Sequence, residues 1–172
     1  MMLSIYQVRT EGDRVDVRLL FWEYLQWANS RLNEEYGIHF DIATMLEQDM
    51  LELDKYSPPG GCLMLAKYEG QLAGLACMRK IREDSGEIKR MYVRPAFRKK
   101  GIGKELVKAV IKQARTNGYS RVRLDSARFM KGAHALYRSF GFAEIEPYAE
   151  SEIPPDLHKH WIFMELWLRT LR

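Results

Sequence analysis

The segment with the clearest capacity for chemistry is Arg98-Lys99-Lys100-Gly101-Ile102-Gly103-Lys104. It carries four cations and two glycines, and it leads into an amphipathic helix that apolar spacing predicts over residues 103–117. The first N–H groups of a helix have no partner within the helix, and together with the helix dipole they favour an anion. Glycines place no Cβ between the backbone and phosphate oxygens. The segment therefore predicts a site for a pyrophosphate-sized anion, although it is also typical of a solvated loop before a helix.

Better-known sites do not fit these residues. A dinucleotide fingerprint needs glycine where Leu106 stands, and a Walker loop needs glycine at Arg98 and Ser or Thr at Glu105. The four histidines (His39, His134, His158 and His160) lack the spacing of metal ligands, so no metal is expected. Ser126 lacks the Gly-x-Ser-x-Gly elbow of a serine hydrolase.

The formal net charge of +4 hides an uneven distribution. Residues 79–123 hold fifteen basic and four acidic residues, whereas the rest of the chain is acidic overall. A basic middle predicts a phosphate-bearing partner, either a nucleic acid or one phosphorylated small molecule. Because the cations concentrate around the glycine loop, the second interpretation is favoured and no nucleic acid is expected.

Composition predicts one compact domain in a chain of 172 residues, with 47% hydrophobic and 29% charged residues. The first ten residues do not resemble a signal peptide, and no apolar run has the length of a membrane span. We therefore expect a cytoplasmic protein without a membrane partner. Cys62 and Cys77 lie in strand-like contexts, which favours buried, reduced thiols over catalysis or a disulfide.

Apolar periodicity predicts a mixed α/β fold. Helices are predicted over 13–32, from 42 after an Asp41 N-cap, over 103–117, and as a short segment ending before Gly141. The predicted strands cover 3–8, 62–68, 71–81, 87–93, 121–126, 142–148 and 160–168, with Glu69-Gly70 as a hairpin turn.

Three motifs together resemble the GCN5-related N-acetyltransferase (GNAT) family. They are Arg98-x-x-Gly101-x-Gly103, Met91-Tyr92-Val93-Arg94-Pro95, and Ala133-x-x-Leu136-Tyr137-x-x-x-Gly141-Phe142. The resemblance covers residues 62–148, the acetyl-CoA core, and extends to 1–172 as one N-acetyltransferase domain. It implies a single α/β domain with a mixed, mostly antiparallel sheet of about seven strands and about four helices. It further implies that the strand ending near Val93 splays from the one ending near Ser126. The co-substrate is then acetyl-CoA, and no metal is expected.

The resemblance also implies which residues bind acetyl-CoA. The strand Met91-Tyr92-Val93 pairs its backbone with the pantetheine amides, and N–H groups from Lys99 to Lys104 cradle the pyrophosphate. The residues expected at the cofactor are Met91, Tyr92, Val93, Arg98, Lys99, Lys100, Gly101, Ile102, Gly103 and Lys104. Met130 stands where the family often has an Asn that holds pantetheine.

Two residues are candidates for proton transfer. Tyr137 matches the family tyrosine that protonates the leaving thiolate, although periodicity alone makes it a core residue. Glu87 matches the glutamate that acts as a base in some members. Alternatively, Glu87 is a solvated carboxylate at the end of a strand, and a chain of water molecules accepts the proton.

The expected function is acetyl transfer from acetyl-CoA to the primary amine of a small molecule, by direct attack in a ternary complex. The alternatives are a protein or peptide amine, a non-catalytic coenzyme A-binding protein and a nucleic-acid-binding module. Residues 34–54 contain seven acidic residues and no Lys or Arg, which would suit a cationic acceptor or a solvated helix face. The oligomeric state stays open, with a homodimer as one candidate.

Overall fold

A computed structural model describes residues 2–169. Within these residues a seven-stranded sheet runs in the order β1-β2-β3-β4-β5-β7-β6. The strands are β1 (Leu3–Gln7), β2 (Cys62–Tyr68), β3 (Gln71–Arg82), β4 (Ser85–Val93), β5 (Arg121–Ala127), β6 (Ala143–Ile145) and β7 (Trp161–Trp167). All neighbouring strands are antiparallel except β4 and β5, which are parallel. The predicted α/β class and the mixed, mostly antiparallel sheet are confirmed.

Four α-helices flank the sheet in the described part of the chain: α1 (Glu11–Tyr36), α2 (Ile42–Leu51), α3 (Ile102–Thr116) and α4 (Lys131–Ser139). Short 3₁₀ segments follow α2, precede the glycine loop and precede β7. None of the helices between residues 2 and 169 is both long enough and apolar enough to cross a membrane.

The first helix shows how local chemistry sets its ends. Thr10 Oγ1 accepts a hydrogen bond from the Asp13 N–H at 3.0 Å, and the Asp13 carboxylate accepts one from the Thr10 N–H at 3.0 Å. The helix ends at Gly37, whose φ of 66° suits glycine. It is therefore longer than the predicted 13–32, because its apolar face ends at Leu32 before the backbone stop.

The two faces of the sheet bury separate cores. The apolar face of α3 packs with β2, β3 and β4 on one side, and α1 and α2 cover the other side. Cys62 and Cys77 are fully buried, with no disulfide among the described residues, so their predicted role as core residues is confirmed.

The last strands differ from the prediction in length. β6 covers only Ala143–Ile145, because it pairs at the sheet edge with β7 alone. The apolar residues that had suggested a longer strand are buried by other contacts: Phe142 packs on Tyr137, and Tyr148 packs on Phe163.

The two parallel strands diverge after a short pairing. β4 and β5 pair only where Ser85–Glu87 meets Arg121–Arg123. From Ile88 onward, no strand among residues 2–169 lies beside the edge of β4 that faces β5. β4 also contains a bulge opposite Ala76, where Arg90 adopts a φ of 50°. The expected splay is therefore present, and it opens a gap in the middle of the sheet.

Candidate active site

A cleft of about 520 Å³ occupies one end of this gap. Its walls come from the end of β4, the glycine loop and the start of α4. The predicted cofactor residues that line it are Met91, Tyr92, Val93, Arg98, Lys99, Gly101, Ile102, Gly103 and Lys104. Lys100 does not line the cleft, and its ammonium lies over the Tyr68 ring, 5.1 Å from the centroid.

The two glycines of the loop have different physical roles. Gly101 is the N-cap residue of α3 and has a φ of 78°, a backbone conformation that residues other than glycine rarely adopt. A Cβ on Gly103 would lie 3.2 Å from Leu136 Cδ2 and 3.4 Å from Met91 Cε, both on residues that line the cleft. None of the side chains that the structure describes caps the start of α3, so its first N–H groups stay available to an anion. This arrangement fits the pyrophosphate of a coenzyme A thioester.

Arg98 makes a contact that the sequence did not indicate. Its Nε donates a hydrogen bond to the Val93 carbonyl at 3.0 Å, and its guanidinium lies 5.4 Å from the centroid of the Trp27 ring. Arg98 therefore connects the loop to the end of β4. The Val93 carbonyl, which was expected to pair with a pantetheine amide, instead accepts a hydrogen bond from Arg98.

A smaller cavity of about 60 Å³, here called the junction cavity, lies deeper in the splay. It shares Met91, Met130 and Ala133 with the cleft. Met130, which stands at the expected Asn position, also lines a third space, and it therefore contacts all three.

Tyr137 lines the junction cavity from α4. The side chain is 5% exposed, and its ring packs on Phe142 at a centroid distance of 5.6 Å. Its hydroxyl lies 3.4 Å from Met91 Sδ, a weak acceptor. Burial raises the pKa of Tyr137, so the hydroxyl keeps its proton at neutral pH. Tyr137 is thus a core residue that also lines a cavity, and its hydroxyl is protonated.

The third space, here called the inner pocket, has a volume of about 160 Å³. It lies between α1, α2, the splayed strands and the loop that precedes β7, and most of its lining is apolar. It shares six residues with the junction cavity: Tyr24, Lys89, Arg90, Asp125, Ser126 and Met130. The junction cavity therefore lies between the cleft and the inner pocket.

Two cationic residues on the wall of the inner pocket were not predicted from the sequence: Lys89 is buried, and the Arg90 side chain is 14% exposed. Arg90 donates to Asp49 from Nε at 2.8 Å and from Nη2 at 3.2 Å. Burial disfavours its charge, but Asp49 raises the pKa of Arg90 above its ordinary value. Lys89 Nζ lies 3.2 Å from Glu152. The sequence feature that could have indicated them is a pair of adjacent cationic residues within a predominantly buried strand.

Glu87 lies outside all three spaces. Its side chain is 0% exposed, and it accepts hydrogen bonds from Arg79 Nε at 2.8 Å and from the Tyr148 hydroxyl at 2.6 Å. Burial raises the pKa of Glu87, while Lys89 and Arg79 oppose this shift. The expectation of a solvated carboxylate is wrong. The structure also does not bring Glu87 to the cavity that Tyr137 faces.

The histidines make structural contacts. His134 Nε2 lies 2.9 Å from Ser126 Oγ, His158 Nε2 lies 2.9 Å from the Ile153 carbonyl, and His160 stacks on Tyr36. Between residues 2 and 169, no group of three or more His, Cys, Asp or Glu side chains could hold a metal ion.

Comparison with known proteins agrees with the motifs. The model of the acetyltransferase (GNAT) family matches residues 17–142. An uncharacterized N-acetyltransferase of Schizosaccharomyces pombe is 34% identical over 156 residues, which cover 88% of this chain and 90% of that protein. Human N-acetylaspartate synthetase is 38% identical over 103 residues, which cover 58% of this chain and 34% of that protein.

Solved structures share the fold. A GNAT acetyltransferase of Staphylococcus aureus has a TM-score of 0.75 at 20% identity, covering 98% of this chain and 100% of that one. The PaiA N-acetyltransferase of Thermoplasma acidophilum, solved with coenzyme A, has a TM-score of 0.74 at 18% identity with the same coverage. The chain therefore belongs to the acetyltransferase (GNAT) family, and it is an N-acetyltransferase.

Proposed function

We propose that this protein transfers the acetyl group of acetyl-CoA directly to the primary amine of a small molecule, in a ternary complex. The observation that carries the proposal is the junction cavity. It lies between a cleft that suits coenzyme A and a separate inner pocket, and a protonated tyrosine lines it.

The cleft supports acetyl-CoA as co-substrate through two features. The first N–H groups of α3 and the charge of Lys99 and Lys104 suit the pyrophosphate. The free edge of β4 beyond Glu87 suits the pantetheine amides, which can add to it as a strand would. Met91 lines both the cleft and the junction cavity, so this path leads toward the Tyr137 hydroxyl.

The transfer itself needs few protein groups. The neutral amine attacks the thioester carbonyl carbon, so a C–N bond forms and the C–S bond breaks. The Tyr137 hydroxyl gives its proton to the departing thiolate, and the proton lost by the amine nitrogen restores the hydroxyl. The products are an N-acetyl amine and coenzyme A with a free thiol. An acceptor that arrives as an ammonium ion first releases one further proton to water.

The size of the inner pocket supports a small acceptor. Its volume is about 160 Å³, and a cavity of about 150 Å³ holds a benzene ring. Helices α1 and α2 form one side of it, which restricts the approach of a folded protein surface.

The test combines acetyl-CoA with a panel of small primary amines and amino-terminal peptides. Thiol release and the mass of the product are followed together. Transfer to at least one small amine supports the proposal, whereas transfer to peptides alone, or to nothing, contradicts it. Acetyl-CoA should also raise the melting temperature, and an oligonucleotide at equal concentration should not.

A further inference from the structure

Two adjacent cationic residues of β4 line the same pocket. In a regular strand, neighbouring side chains point to opposite faces of the sheet. Lys89 and Arg90 nevertheless both line the inner pocket and the junction cavity. The bulge explains this, because Arg90 has a φ of 50° where the pairing with β3 changes register. Backbone strain of this kind persists where surrounding contacts hold it, and Asp49 holds Arg90 here.

These cations keep capacity for another anion. Asp49 uses Nε and Nη2 of Arg90, and Nη1 has no hydrogen-bond partner within residues 2–169. Two carboxylates lie near Lys89 Nζ: that of Glu152 at 3.2 Å, whose side chain is 47% exposed and lies in the loop before β7, and that of the buried Glu87 at 3.8 Å. A bound carboxylate could share Lys89 with Glu152 or displace it.

The opposite wall carries a negative charge. Asp125 of β5 lines the same two spaces, and its carboxylate accepts a hydrogen bond from Ser151 Oγ at 3.0 Å. In the part of the chain that the structure describes, no Lys or Arg nitrogen lies within 4.0 Å of it. The gap between the splayed strands thus has cations on the β4 side and a carboxylate on the β5 side.

The rest of the inner pocket is mostly apolar. The helices contribute Leu25, Ala28, Leu32, Ile42 and Met45, and β7 contributes Trp161. A ligand that fits this surface presents an anionic group, an amine and an apolar remainder, all within a small volume.

We propose that the acceptor is a small α-amino acid with an apolar side chain. Its carboxylate lies at Lys89 and Arg90, its amine lies at Asp125 beside Tyr137, and its side chain packs against α1 and α2. The inference rests on the proposed function and names the substrate class of the same site. In this arrangement Lys89 and Arg90 select acceptors that have a carboxylate, and they take no part in the acetyl transfer itself.

The first test compares leucine with leucinamide and isoamylamine as acceptors. The three share an amine and an apolar group, but only leucine has a carboxylate. A charge-assisted hydrogen bond contributes about ten- to a hundredfold in affinity, so kcat/KM should be higher for leucine by at least that factor. Equal efficiency with the three acceptors would overturn the inference and leave the proposed function standing. Transfer to no amine at all would contradict the proposed function itself.

Variants then locate the preference in the structure. Lys89→Met should reduce the preference for leucine over leucinamide to a few-fold, with a smaller effect on leucinamide itself. Arg90→Lys provides a second variant if the first does not fold. The matched control is Arg123→Gln, which breaks another largely buried ion pair, that of Arg123 Nε with the Glu165 carboxylate at 2.6 Å. Neither residue lines the inner pocket. This control should keep the preference. A preference that survives in the folded Lys89 or Arg90 variant would overturn the assignment.

Discussion

Replacing Gly103 with valine tests whether the start of α3 forms the floor of the cleft. The new Cβ would lie 3.2 Å from Leu136 Cδ2 and 3.4 Å from Met91 Cε, and two methyl groups would extend beyond it. Both neighbours are ends of flexible side chains, so they can shift by a few tenths of an ångström. We expect the free energy of unfolding to fall by about 1 kcal/mol, the low end for overpacking.

The effect on acetyl-CoA binding should be much larger. Gly103, Leu136 and Met91 all line the cleft, so the added methyls and the displaced side chains reduce the space beside the first N–H groups of α3. Loss of two charge-assisted hydrogen bonds to phosphate costs about 3 to 6 kcal/mol. The dissociation constant should therefore rise by about 10²- to 10⁴-fold.

Calorimetry with acetyl-CoA measures the affinity, and urea denaturation measures the stability. The matched control is Gly12→Val, because Gly12 is the second residue of α1 as Gly103 is of α3. A Cβ at Gly12 would lie 3.7 Å from Thr10 Oγ1, an ordinary van der Waals distance, so this variant should bind acetyl-CoA as the wild type does. Wild-type affinity in a folded Gly103→Val protein would refute the placement of the phosphates.

Three further predictions concern charged groups. Glu87→Gln should lower the free energy of unfolding by about 3 kcal/mol, because Arg79 loses a buried anion, and should leave the pH profile of kcat/KM unshifted. A shifted profile would support Glu87 as the base. The backbone N–H groups of Arg9 and Thr10 lower the pKa of Asp13 from its ordinary value of 3.8. The ionised Asp13 carboxylate therefore stabilises the fold fully above pH 3.8, and this stabilisation is lost as the pH falls through the pKa of Asp13 in the folded protein. Asp13→Asn should therefore lower the melting temperature at pH 7 but not at about pH 2, and equal losses at both would contradict this linkage. Arg98→Met should weaken acetyl-CoA binding by about tenfold in calorimetry, and an unchanged constant would show that its tie to β4 does not shape the cleft.

Local patterns predicted the elements that carry the site. The apolar face of α3, the hairpin turn at Glu69-Gly70 and the glycine loop each depend on neighbours in sequence, and most observed boundaries lie within two residues of the predicted ones. The end of α1 and the length of β6 differ because a backbone stop and a sheet edge, rather than apolar spacing, set them.

The chemistry of the inner pocket depends on contacts between distant segments. Nothing in Lys89-Arg90-Met91 marks a positive φ, because arginine is not a turn residue; pairing with β3 and the contact with Asp49 produce it. Similarly, the buried Glu87 accepts a hydrogen bond from Tyr148, which lies 61 residues further along the chain. Sequence spacing could not show either contact.

The most direct test of the account measures Tyr137→Phe on the best acceptor found in the amine panel. The matched control is Tyr56→Phe, because Tyr56 is also buried and its hydroxyl has no hydrogen-bond partner among residues 2–169. We predict that Tyr137→Phe lowers kcat by about ten- to a thousandfold, with the dissociation constant of acetyl-CoA within about twofold of the wild type. The control should keep wild-type turnover. Wild-type kcat in Tyr137→Phe would contradict the claim that acetyl transfer takes place at the junction cavity with Tyr137 as proton donor.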